Sequence, residues 1–165
     1  MVALEISSMK NFMTHLLSGD TFEDYLLEEA VISTLNTFTI DGHMNADFFP
    51  AEERDAAHLP YDFRPWSELK GMCFDLIKGK YPPTYFKFVL HLKPEKASAL
   101  LREVSPELSG QLKALVLNIR YDGNKAILTT GTSYQAFVIS REIDLTWDLF
   151  LCKYLDEKGI GYEKL

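Results

Sequence analysis

The chain has 165 residues, of which 47% are hydrophobic and 25% charged, and it carries a net charge of −7. That length suits one ordinary domain able to bury roughly 70% of its unfolded surface, and the composition excludes a disordered tail and a small scaffold that depends on disulfides. No run approaches the ~18 apolar residues of a spanning helix, and the first twenty residues lack a basic stretch followed by an apolar one, so the sequence predicts a cytoplasmic protein with no membrane partner.

In chain order, Val2–Ile6 reads as a short strand. Met9, Phe12, Met13, Leu16 and Leu17 then follow the spacing of a buried helix face, with Gly19 as its stop. Tyr25–Ile40 is rich in β-branched residues and predicts two strands ending on an Asp41-Gly42 turn, although Leu26-Leu27-Glu28-Glu29-Ala30 is also compatible with a helical turn. Asn45–Pro65, with three prolines and several acids, predicts a long surface connection. A second helix opens at Pro65 and places Trp66, Leu69, Cys73, Leu76 and Ile77 on one face; Gly79 stops it and Pro82-Pro83 blocks its continuation.

From Tyr85 the period becomes two, with Phe86, Phe88, Leu90 and Leu92 on one side and Tyr85, Lys87, Val89 and His91 on the other. Pro94 starts a short helix with Ala97, Leu100, Leu101 and Val104 inward, ended by Ser105-Pro106 and Ser109-Gly110. Leu115, Leu117, Ile119 and Tyr121 alternate along the next strand. Asp122-Gly123 turns it, Lys125–Thr130 returns, and Gly131 marks another tight turn into Tyr134–Ile139. The last helix presents Ile143, Trp147, Phe150, Leu151, Tyr154 and Leu155 on one face.

These elements predict a single α+β domain over residues 1–165, built of antiparallel hairpins packed with amphipathic helices. Strand, helix and a hairpin closing on Asp-Gly describe residues 2–49 and again residues 85–140, so a duplicated β-α-β-β unit is one reading; chance recurrence of common elements is the other. A duplicated unit of this kind resembles, in topology alone, the paired units of DNA sliding clamps. Three stretches carry a second resemblance: Asp20-Thr21-Phe22 through Thr37-Phe38-Thr39-Ile40-Asp41-Gly42-His43, then Cys73-Phe74-Asp75-Leu76-Ile77-Lys78-Gly79-Lys80, then Leu117-Asn118-Ile119-Arg120-Tyr121-Asp122-Gly123. Together they resemble an uncharacterised family of Firmicute-type bacterial proteins, which implies a bacterial intracellular origin and transfers no site residue.

Charge is unevenly spread. Residues 1–63 hold two basic and twelve acidic side chains, whereas residues 64–125 hold eleven basic and six acidic ones. Internal compensation between the two segments is the favoured reading. Cys73 and Cys152 fall at apolar-face positions without Cys-x-x-Cys spacing, and are expected to be buried free thiols.

The densest group of metal-type ligands is Asp41, His43, Asp47, Glu52, Glu53, Asp55 and His58, of which Asp41, His43, Asp55 and His58 are the candidates for a divalent ion. Their spacing matches no zinc or EF-hand pattern, and a solvated acidic loop is the favoured reading. Lys80, Tyr85, Lys87, His91 and Lys93 interleave cations with aromatics as a single-strand nucleic-acid surface does; an edge strand guarded by lysines has the same composition. Thr129-Thr130-Gly131-Thr132-Ser133 is read as a hairpin segment and not an anion cradle, and Lys78-Gly79-Lys80 lacks the architecture of a P-loop. No cofactor motif is present. The reading that follows is a non-catalytic interaction or regulatory protein with a protein partner, ahead of a metal-dependent enzyme and of a clamp-like nucleic-acid factor.

Overall fold

A computed structural model of the protein describes residues 1–54 and 59–165. After strand β1 (Ala3–Ile6), Ser8 caps helix α1 (Met9–Leu17): its backbone is extended and its hydroxyl accepts the Asn11 N–H, satisfying a donor the first turn leaves free. Strands β2 (Tyr25–Ser33) and β3 (Thr37–Asp41) form the next hairpin, so Leu26–Ala30 is extended and not helical. That hairpin turns at residues 34–36, and Asp41 is still paired, opposite Glu29. The glycine of Asp41-Gly42 therefore answers a different need. A Cβ at Gly42 would stand 1.7 Å from the Leu27 carbonyl oxygen, so only a residue without one lets the two backbones approach this closely.

The remaining elements are β4 (Arg64–Pro65), α2 (Trp66–Ile77), β5 (Tyr85–Leu92), α3 (Pro94–Arg102), α4 (Pro106–Ser109), β6 (Leu112–Tyr121), β7 (Ala126–Tyr134), α5 (Glu142–Glu157) and β8 (Tyr162–Lys164). This is an α+β fold around one antiparallel sheet of eight strands, in the order β3-β2-β5-β6-β7-β1-β8, with β4 pairing the start of β2. Asp122-Gly123 does turn β6 into β7, with the Asp122 carboxylate accepting the Asn124 and Lys125 N–H groups. Gly131 instead lies inside β7 opposite Val116, and the strand runs on to Tyr134. The two segments compared as repeats sit differently: β1 lies between β7 and β8, and β5 between β2 and β6.

Helices α1, α2 and α5 cover one face of the sheet. Trp66 packs on Phe88 and donates its indole N–H to the Leu16 carbonyl, tying α2 to both the sheet and α1. At the other end the Thr130 hydroxyl donates to Asp148 of α5, and Thr132 donates to Asp144 at 2.5 Å. Phe86, Phe88, Leu90, Leu115, Leu117 and Ile119 are buried beneath these helices in the alternation read from the sequence. Cys73 and Cys152 are buried and unpaired, as expected. Among the described residues no helix is long and apolar enough to cross a membrane.

Candidate functional site

The functional question concerns the sheet face turned away from these helices. A β-bulge interrupts the pairing of β2 with β5 between Leu27 and Glu29, and the extra residue sends Glu28 and Glu29 to the same face. Both find partners on β5. Glu29 meets the Lys87 ammonium at 3.2 Å, and Glu28 Oε2 accepts from His91 Nε2 at 2.6 Å. The Gly42 N–H donates to the Glu28 carbonyl at 2.9 Å and the Gly42 carbonyl accepts from Arg64, so the close approach that requires a glycine also anchors the bulge.

Residues on either side of the long connection complete the arrangement. His43 bridges Phe63, and the Met44 N–H donates to the Asp62 carbonyl, so both ends of the Asn45–Tyr61 excursion return beside β2. The Phe63 ring stands edge-on between two imidazoles, with His43 at 4.5 Å and His91 at 4.6 Å between ring centres. Asp41 accepts from both the backbone N–H and the Nδ1 of His43, at 3.0 and 2.6 Å, and these hydrogen bonds hold its carboxyl below the usual range. An ionised carboxylate only accepts, so each imidazole must donate the nitrogen that faces its partner. The other ring nitrogen, Nε2 of His43 and Nδ1 of His91, is then left as an acceptor while the ring is neutral.

A cavity of about 580 Å³ opens here, lined by Glu28, His43 and His91 together with Met44, Leu59, Phe63 and Val116; Asp62, Lys113 and Ser133 also border it. Its size falls within the range of small-molecule sites. Tyr61 helps to shape the wall by donating its hydroxyl to Glu95 on α3 at 2.5 Å, a bond that raises the phenol pKa and lowers that of the carboxyl. His91, only 14% exposed, forms the floor, whereas His43 at 60% stands at the mouth.

Of the four metal candidates, the structure joins Asp41 and His43 directly to each other; Asp55 and His58 lie outside the described residues. Asp47 reaches Arg54 at 3.8 Å instead of turning toward His43. Among the described residues no three His, Cys, Asp or Glu side chains are grouped so as to hold a metal ion. The second predicted set is divided. Tyr85, Lys87 and His91 share the outer face of β5, while the Lys93 ammonium lies 5.8 Å from the Tyr61 ring centre and Lys80 belongs to a groove beside α1 and α2.

β5 is an interior strand between β2 and β6, so guarding a free edge is not the reason for its lysine. Neutralisation is. Glu5–Lys125, Glu23–Lys70, Asp24–Lys96 and Glu29–Lys87 each join the acidic first segment to the basic central one.

Sequence reasoning did not single out Glu28 and Phe63. Two successive charges inside a strand, Glu28-Glu29, break the period of two, and that break is the signal of a bulge. Phe63 carried no such mark, because its value comes from two histidines distant in the chain.

Residues 15–163 match a family of unknown function, DUF5721, and the chain belongs to that family. No curated protein and no solved structure matches the chain.

Proposed function

We propose that this protein is a non-catalytic, regulatory binding protein whose outer-face cavity takes a small molecule carrying a protonated amine on an apolar body. The observation that carries the reading is the pair of imidazole–carboxylate couples held against Phe63. While the rings are neutral, both couples spend their donors internally and keep their remaining ring nitrogens as acceptors beside the cavity they line. Glu28 retains Oε1, and Asp62 adds a second carboxylate to the lining, against the one ammonium of Lys113. A wall rich in acceptors and negative charge favours a donor-rich cation, while Met44, Leu59 and Val116 supply contact for its hydrocarbon part. Two buried free thiols support a reducing, cytoplasmic setting.

Thermal unfolding in the presence of short aliphatic and aromatic amines tests this reading. A ligand at a hundredfold excess over its Kd stabilises the folded state by about 2.7 kcal/mol, and Glu28→Gln should abolish the rise in Tm. The proposal fails if no amine raises Tm, or if carboxylic acids of the same skeleton do so equally.

A further inference from the structure

A groove of about 530 Å³ runs between α1 and α2, walled by Met9 and Met13 on one helix and Phe74 and Ile77 on the other. Its character is opposite to that of the chain as a whole. In a protein of net charge −7, the charged residues lining it are all basic: Lys10, Lys78 and Lys80. Lys78 reaches Asp75 at 3.0 Å, whereas among the described residues no carboxylate pairs with Lys10 or Lys80. Phe74 is 42% and Tyr81 75% exposed, and the Lys80 ammonium lies 5.6 Å from the Tyr81 ring centre. Methionine walls adapt to the shape of what they receive, and exposed aromatics beside unpaired cations suit an apolar segment flanked by carboxylates.

The same chain displays such a segment. Phe48, in the 3-10 turn Ala46–Phe48, is 81% exposed and packs edge-on against Phe49; Asp47 beside it is paired with Arg54, and Glu52 and Glu53 follow within five positions. It flanks α2 as well, in a cavity shared with Leu69 and Met72, so one helix borders the aromatic segment along its first half and the basic groove along its second. Met72, half-exposed, lies between them. A two-fold axis across α2 would seat the aromatic segment of each copy in the groove of the other, which is the self-complementarity that an isologous interface requires. We propose that the groove's occupant is a second copy of this chain, through Phe48 and its acidic neighbours.

Sedimentation velocity over about a hundredfold range of concentration tests it, and a reversible monomer–dimer equilibrium is expected. Phe48→Ala, at an exposed position that does not support the fold, should raise the dissociation constant about thirtyfold, as loss of a central aromatic anchor does. The pair Lys10→Glu and Lys80→Glu in one protein, and Glu52→Lys with Glu53→Lys in another, should each abolish self-association, and mixing the two should restore a dimer. A protein that stays monomeric throughout overturns the proposal, as does a dimer indifferent to Phe48→Ala and to charge reversal. Capture by anionic lipid vesicles through Lys10 and Lys80, without self-association, would assign the groove to a membrane surface and overturn it equally. Since the basic groove and the amine cavity share no lining residue, loss of the dimer in the Lys10→Glu, Lys80→Glu protein with ligand stabilisation intact would separate this failure from that of the proposed function.

Discussion

Replacing Tyr25 by Phe should stabilise this protein, the reverse of what a core tyrosine usually shows. The Tyr25 ring is fully buried, edge-on to Phe22 at 5.6 Å and 6.5 Å from Trp147, yet its hydroxyl has no hydrogen-bond partner among the described residues. Burial accordingly pushes its phenol pKa far above the ordinary value. A hydroxyl that gives up water and gains no partner costs about 1–3 kcal/mol, whereas Phe keeps the ring and its aromatic contacts. The expected gain is therefore about 1–3 kcal/mol, or about 2–4 °C in Tm for each kcal/mol in a chain of this size.

Tyr154→Phe is the matched control. Its hydroxyl donates to the Thr21 carbonyl at 2.5 Å, and removing it should cost about 1 kcal/mol. Urea denaturation followed by tryptophan fluorescence reads both variants, as shifts of midpoint at unchanged slope. A loss above about 0.5 kcal/mol for Tyr25→Phe would refute the reasoning, because it would mean that the hydroxyl is satisfied in solution.

Gly42→Ala should cost about 3 kcal/mol or more, since the added methyl meets the Leu27 carbonyl and nothing short of moving the β2 backbone relieves it; a midpoint within experimental error of the parent would show that the bulge yields freely. Cys73 gives a pH dependence. Burial raises its thiol from 9.0 to about 12, so above pH 9 the unfolded chain releases a proton that the folded one keeps. Stability is then fully present below pH 9 and declines between pH 9 and about 12, and Cys73→Ala should flatten the decline between pH 9 and 10, before Tyr25 begins to add its own. Denaturant midpoints taken on either side of pH 9 check this, and identical slopes for the two proteins would refute it.

The pairing of the acidic first segment with the basic central one explains why the polar half of β5 is tolerated in the middle of a sheet. Each of these ion pairs is partly exposed and contributes at most about 1 kcal/mol. Their consequence lies in pattern. Lys87 is matched by Glu29, whereas Lys10 and Lys80, beside the α1–α2 groove, stay without a carboxylate partner among the described residues.

Local chemistry in the sequence was sufficient for the α+β class, the faces of α1, α2 and α5 and the alternation of β5, because burial imposes periods of 3.6 and 2 directly on residue order. Pro94 and Asp122-Gly123 were readable for the same reason, since a helix start and a tight turn are satisfied within a few residues. Strand partners were not. β8 was not anticipated, because a three-residue strand has too short a pattern and its partner β1 lies at the other end of the chain. Gly42 and Gly131 carried turn chemistry, but the fold uses one for a close backbone approach and the other inside a strand, a choice made by what packs beside them. The cavity is the extreme case. His43 and His91 stood out in the sequence as members of two unrelated groups, and only the bulge at Glu28 and the return of Phe63 beside β2 bring them onto one ring. Those contacts span tens of residues, and no local propensity encodes them.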